Sequence, residues 1–365
     1  KQLYADMIEQ ALLADRLGFD AVSITEHHLI NLLMMPAPLQ FAVKIAGVTE
    51  RVKIILGVAV LPLHDMRVYA GELVCADIFT DHRLVVGLGR GAFPFETARM
   101  GIPIDKTLEK FDESVAVLQA LLTEEEVSWN GKYYQLPMVS TWPRPLQQPH
   151  PPIWVPGNAS PSTWDFVLEH DYCYCYLTYF GAQGASTTIN GYWNRAEEMG
   201  RDNNPYRLGY LMPIGVAETD EEADRIYGPH IEYFYHKLLH LPEALFMPPG
   251  HMTHSSLKYL IVQKALPPFG TLKTNSYKEF KDQEYLLTGS VETVKEQLLD
   301  VVKRLRVGNL MVLPQFGSMG HDQAMRNIEL FTQGVLPALR DVWDEEGWVN
   351  HWWPQGARQA KQKAA

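Results

Sequence analysis

The feature that most constrains this chain is an alternation. Short apolar runs, almost free of polar residues, are separated by segments whose apolar residues recur at helical spacing. Seven runs read as strands: residues 21–25, 52–61, 84–89, 153–155, 172–176, 208–216 and 308–314. The 52–61 run, VKIILGVAVL, is typical: it is rich in β-branched residues and lacks the polar alternation of a half-exposed strand. A strand that is apolar along its whole length is buried on both faces, as in a parallel sheet covered by helices. Between the runs, Leu3, Met7, Ile8, Ala11, Leu12 and Leu17 recur at helical spacing and Gly18 stops the helix. Further helices are expected over 38–48, 67–79, 108–122, 161–169, 187–199, 290–305 and 323–339.

With 365 residues, 46% of them hydrophobic, the chain can bury a barrel-sized core. Strict strand–helix alternation predicts an α/β fold, a (β/α)8 TIM barrel formed as one domain over residues 1–365. An open doubly wound sheet is the alternative, but it would carry a G-x-G-x-x-G turn opening a helix after its first strand. The one Gly-rich candidate, GLGRGAFP at 87–94, does not fit that pattern. Two stretches break the rhythm. Residues 123–152 read as a hairpin around Asn130-Gly131 followed by a Pro-rich excursion. Residues 229–287 are rich in Pro, Gly, His and aromatics and read as an irregular insertion, a candidate lid.

Charge and cysteine usage narrow the function. Lys and Arg number 32 against 43 Asp and Glu, a net charge of −11, which disfavours nucleic acid and anionic lipid as partners. No run of about 18 apolar residues suggests a membrane span, and no secretory leader is expected. Three cysteines cannot form a disulfide framework, and an odd count suits a reducing, cytoplasmic setting. Cys173 and Cys175 have the wrong spacing for a C-x-x-C motif and read as neighbours on one strand face.

Barrel chemistry sits at the carboxyl ends of the strands. After 21–25 come Glu26, His27 and His28; after 84–89 comes Arg90; after 153–155 come Gly157 to Ser162. Adjacent histidines raise the question of a metal. Neighbouring residues at a strand end point different ways, and no second His pair is visible, so no metal is expected. The reading preferred is that one histidine faces the barrel mouth as acid, base or anion stabiliser, with Glu26 fixing its tautomer. A loop cluster of local hydrogen bonds is the bland alternative. The turn before the 161–169 helix offers free N–H groups to an anion, and Arg90 on a nearby loop would add charge-assisted contacts to a phosphate. Simple helix capping by Ser160 or Ser162 is the alternative there.

Four segments, GFDAVSITEHH, LGVAVLPLHDMRVYAGELVCADIFTDHRLVVGLGRG, PPIWVPGNASPSTWDF and TGSVETVKEQL, stand in order along the chain and resemble the bacterial luciferase-like family of flavin-dependent monooxygenases. The resemblance implies a TIM barrel that binds reduced FMN and passes O2 through a C4a-peroxyflavin to a small, apolar organic substrate. It places His27 at the catalytic histidine, with Glu26 before it in the motif. Arg90, Asn158, Ala159 and Ser162 fall at the flavin phosphate, and Gly57-Val58 falls where the family carries a non-prolyl cis peptide against the flavin ring. Met34, Met35 and Phe93 lie near the mouth on this reading. Gly89 stands where luciferase itself has a reactive cysteine, which speaks against luminescence and leaves oxygenation open. No nicotinamide fingerprint occurs, so the resemblance implies a separate NAD(P)H:flavin reductase, and also a homodimer through helices early in the barrel. It further implies a strand ahead of Lys1, which would raise the count from seven to eight and put the long insertion after the seventh strand. An F420-dependent hydride-transfer oxidoreductase and a non-catalytic flavin-binding protein are the alternatives.

Overall fold

The computed structural model describes residues 1–30, 33–91, 93–177, 181–238, 250, 252–263, 272–350 and 352. The chain divides into two compact units: residues 14–154 with 242–252, called here the amino-terminal unit, and residues 1–13 with 155–241 and 253–365, the carboxy-terminal unit. Helix α1 (Gln2–Leu17) runs from one into the other.

The amino-terminal unit is built on parallel strands β1 (Ala21–Ile24), β2 (Lys53–Val60) and β3 (Leu84–Gly89). Val22 lies opposite Ile54, and Leu56 opposite Val86. All six residues of β3 are buried, as its unbroken apolar run requires. Helices α2 (Pro38–Ala46) and α3 (Met66–Phe79) connect these strands. The register shifts between Leu56 and Ala59. At that shift the glycines of β3 make room: a Cβ on Gly87 would lie 2.1 Å from the Leu56 carbonyl oxygen, and one on Gly89 2.5 Å from Val58 Cγ2.

After β3 come α4 (Pro94–Arg99) and α5 (Thr107–Thr123), then the antiparallel hairpin of β4 (Val127–Asn130) and β5 (Gln135–Val139). The hairpin is held by one side chain of α5. Glu113 accepts from the N–H groups of Lys132, Tyr133 and Tyr134 and from the Trp129 indole at 3.0–3.2 Å. Gly131 is needed at the turn, because a Cβ there would fall 1.9 Å from Glu113 Oε1.

Strand β6 (Ile153–Gly157) leads from this unit into the next: Ile153 and Trp154 pair with Val86 and Gly87 of β3. The carboxy-terminal unit continues the parallel pattern through α6 (Pro161–Glu169), β7 (Cys173–Leu177), α7 (Gly181–Glu198) and β8 (Leu208–Ala217). Cys173 and Cys175 are both buried within β7, whereas Cys75 on α3 is exposed.

Two sequence expectations need correction here. The 229–287 segment was expected to be irregular, yet its described residues are largely helical. Helix α8 (Asp220–Tyr233) runs through Pro229, a π-helical turn follows over Phe234–Leu238, and α9 (His254–Val262) and α10 (Tyr277–Asp282) come next. Residues 239–249, 251 and 264–271 lie outside the described residues. The strand count of seven also changes. Leu287–Ser290 forms β9, parallel to the last four residues of β8, so among the described residues the sheet holds eight strands. Helix α11 (Val291–Leu305), capped by Ser290, then leads to β10 (Asn309–Leu313), which pairs with residues 209–213 of β8. Among the described residues, no helix is long and apolar enough to cross a membrane.

Candidate active site

The loop after β1 carries the site of the amino-terminal unit. Side chains alternate at a strand end, so Glu26 and His28 project one way and His27 another. Each direction meets its own partners.

His27 is fixed at both backbone and ring. Its N–H donates to the Met35 carbonyl at 3.0 Å, and its Nδ1 lies 2.9 Å from Glu96 Oε2. The other oxygen of the same carboxylate accepts the His28 backbone N–H at 2.6 Å. Glu96 stands in the first turn of α4 and is 6% exposed. A carboxylate has no proton to give, so Nδ1 carries the hydrogen and the neutral ring keeps its lone pair on Nε2. Phe93 packs against the His27 ring with centroids 5.2 Å apart. The partner that sets the His27 tautomer is therefore Glu96 and not Glu26, the residue expected from sequence.

Glu26 serves a different set. Its Oε1 lies 2.7 Å from both His28 Nε2 and His64 Nε2, and its Oε2 accepts the Val60 N–H at 2.9 Å. Burial alone would raise the pKa of this carboxyl, but the hydrogen bonds from His28, His64 and Val60 outweigh it and hold the pKa at about 2. The bond to Glu26 raises the pKa of His28 against the opposing effect of burial. His64 arrives from the far side of the fold's local sequence: it ends the 3-10 turn Leu61–Leu63 after β2, and its ring lies 4.4 Å from that of Tyr69.

Other expected residues fall around this loop or apart from it. Met35 is buried and Met34 is exposed. Arg90 follows β3; burial lowers its pKa, and the charge of Asp112 on α5 opposes the shift. The Gly57–Val58 peptide is cis, and Val58 fills the space beside Gly87 and Gly89.

Asn158, Ala159 and Ser162 belong to the carboxy-terminal unit. The Asn158 carbonyl accepts from the Tyr174 hydroxyl at 2.5 Å and from the Ser160 N–H at 2.8 Å, which shapes the turn before α6. Ser160 is the N-cap residue but its hydroxyl does not cap the helix. It bonds instead to Ser162 Oγ at 3.0 Å and to Ser256 Oγ at 2.9 Å. Ser256 lies in the first turn of α9, whose cap Thr253 bonds the same hydroxyl at 2.8 Å. The turn is thus lined by hydroxyls and helix-start N–H groups, the donor chemistry a phosphate needs.

Sequence reasoning missed Glu96 and Ser256, and it places His64 just after a strand without giving it a role. A weak signal existed for Ser256, since Thr253-His254-Ser255-Ser256 has the form of a helix start.

The comparisons with known proteins agree with this architecture. The oxygenase component of a flavin-dependent trigonelline monooxygenase from Acinetobacter baylyi is 31% identical over 239 residues, which is 64% of this chain and 65% of that protein. The chain therefore spans just under two thirds of the length of that relative. The FMN complex of the oxygenating constituent of 3,6-diketocamphane monooxygenase from Pseudomonas putida superposes with a TM-score of 0.75 at 20% identity, covering 93% of each chain. An F420-dependent secondary alcohol dehydrogenase gives a TM-score of 0.68 at 17% identity, covering 93% of this chain and 96% of that one. At such identities the two structures show a shared fold. The family description "Luciferase-like monooxygenase" matches residues 1–307, a span that includes the β1 loop, His64, Glu96 and the 157–162 turn, and the chain belongs to that family.

Proposed function

We propose that the chain is the oxygenase of a two-component system that takes reduced FMN from a separate NAD(P)H:flavin reductase and uses O2 to oxygenate a small, apolar organic substrate. The observation that carries the reading is the His27–Glu96 pair. It is a partly buried imidazole with a defined tautomer, next to a buried aromatic and at the carboxyl end of a strand.

Reduced flavin, when bound, supplies the two electrons that activate O2. The chain's own residues do the rest. His27 Nε2 accepts or returns a proton while Glu96 holds Nδ1–H and stabilises the imidazolium. Phe93 and Met35 pack the loop and limit water around the ring. The resemblance assigns Gly57 and Val58 to the flavin ring, and Arg90, Asn158, Ala159 and Ser162 to its phosphate. The hydroxyl set around Ser160 fits that assignment, because it offers donors and contains no carboxylate. Glu26, although it belongs to the same motif, supports the loop and does not touch His27. A homodimer in the cytoplasm completes the proposal.

Titration with reduced FMN and with reduced F420, followed by mixing with oxygen and candidate substrates, tests it. Reduced FMN should bind and be reoxidised with incorporation of one oxygen atom into substrate. Binding of F420 in preference to FMN would replace this reading with hydride transfer. Tight FMN binding without substrate-dependent oxygen uptake across apolar substrates would leave a flavin carrier.

A further inference from the structure

The Glu26, His28 and His64 side chains do more than hydrogen-bond. Their ligand atoms lie within 4.8 Å of one another. The Glu26 carboxylate is fully buried, while the two imidazoles keep 18% and 23% of their side-chain surface open. Two imidazoles and one carboxylate form a common set for a divalent transition-metal ion that keeps further positions open.

Charge balance gives a second, independent reason. Glu26, on the loop after β1, and Glu96, in the first turn of α4, are both buried, with side chains 0% and 7% exposed. Among the described residues, neither forms an ion pair with Lys or Arg; their ion-pair partners are the three histidines. Neutral histidines would leave two buried negative charges uncompensated, which is costly. Protons on the imidazoles can supply the balance. So can one divalent cation. The supporting contacts suit the cation: the Val60 N–H fixes the second oxygen of Glu26, and Glu96 fixes the His28 backbone. The Tyr69 hydroxyl, on the ring packed against His64, is buried without a hydrogen-bond partner and leaves a polar group for a metal-bound water. Ligand atoms bound at about 2.0–2.1 Å to one ion lie roughly 3.0–3.4 Å apart, so the 2.7 Å contacts need to open only by small ring movements.

We propose that Glu26, His28 and His64 form a binding site for a divalent transition-metal ion of the zinc class, distinct from the His27–Glu96 pair. The site is independent of the flavin reading, since it needs neither cofactor nor turnover.

The test is Co2+ titration of the full chain after chelator treatment. One ion per chain should bind, with the visible absorption of a nitrogen–oxygen site and no thiolate charge-transfer band. Proton NMR of the Co2+ form should show two strongly shifted, solvent-exchangeable ring N–H signals, one for each histidine, and this readout needs no variant. His64→Asn and Glu26→Gln should each weaken binding at least tenfold, while Cys75→Ser and His170→Asn leave it unchanged. Failure of the wild-type chain to take up Co2+ or Zn2+, the absence of the paired ring signals, or uptake that survives His64→Asn would overturn the assignment.

Discussion

Glu96→Gln separates the two roles that a carboxylate plays beside His27, because it keeps the shape and removes the second acceptor. In the wild type, Oε2 accepts from His27 Nδ1 and Oε1 from the His28 N–H, at 2.9 and 2.6 Å. A glutamine has one oxygen for two donors. If the amide oxygen stays on the His28 N–H, the amide NH2 faces Nδ1, which must then become an acceptor; the ring proton moves to Nε2 and the base is lost. If the oxygen turns to Nδ1–H instead, the part-buried His28 N–H meets another donor. An unmade buried hydrogen bond costs about 1–3 kcal/mol, so the productive tautomer falls roughly 5- to 150-fold. The assay is the rate of oxygenated product formation with reduced FMN supplied in excess, followed at several substrate concentrations with circular dichroism as a check on folding. Turnover should fall within that range while KM changes little. The double variant His27→Ala/Glu96→Gln should be no slower than His27→Ala alone, since both act through one imidazole. Turnover within about twofold of wild type in a folded Glu96→Gln chain would refute the argument, because even the low end of the range exceeds it.

Other outcomes can be stated from single contacts. Asp15 at the end of α1 accepts from the N–H groups of Glu50, Arg51 and Val52 at 2.8, 3.0 and 2.8 Å. Asp15→Ala should cost about 1–3 kcal/mol in denaturant unfolding, chiefly through Val52, which is wholly buried. Burial acts against the Asp15 charge, but those three donors lower its pKa below the ordinary 3.8. A lowered acid stabilises the fold above its unfolded pKa and loses that contribution as pH falls through the folded value. The acid limb of the stability curve should therefore flatten in Asp15→Asn, and an unchanged limb would remove Asp15 from it. Gly87→Ala drives a methyl to 2.1 Å from the Leu56 carbonyl oxygen, so the strand pair must shift; a loss of about 1–3 kcal/mol or more is expected, and a chain of wild-type stability would contradict the strand spacing. Ser256→Ala removes one hydroxyl from the turn before α6. Its affinity for reduced FMN should fall about 2- to 13-fold while that for reduced riboflavin, which has no phosphate, stays the same; equal losses would place the phosphate elsewhere.

How much of this could be read from sequence follows from what each element needs. The β2 and β3 strands need burial on both faces, and burial writes itself into the chain as LVVGLG and KIILGVAV. Strand β9 needs little: Leu287–Ser290 is four residues, half of them Thr and Gly, and it forms because β8 runs four residues beyond its pairing with β10. Its signal lies in the length of another strand. The 229–287 segment misled for the opposite reason. Pro229 and the surrounding aromatics read as breaks, but Ala223, Tyr227 and Ile231 of α8 and Tyr235 of the π-helical turn that follows bury their side chains, and packing overrides the local preference.

The site divides along the same line. Glu26-His27-His28 was visible because a strand end is a local feature. Glu96 lies 69 residues from His27, and His64 lies 38 from Glu26, and nothing local says which loops meet. One local rule nonetheless sorts these residues. Alternation at a strand end sends neighbours in different directions, which argued against a metal held by His27 and His28 together. The same rule sends residues two apart in the same direction. Glu26 and His28 therefore share a side, and His27 is left alone on the other. Each side then needed one partner from elsewhere: His64, reached from β2, meets Glu26, and Glu96, reached from β3, meets His27. A period of two thus sorts three consecutive residues into a pair on one side and a single residue on the other, and the two sets can be perturbed separately.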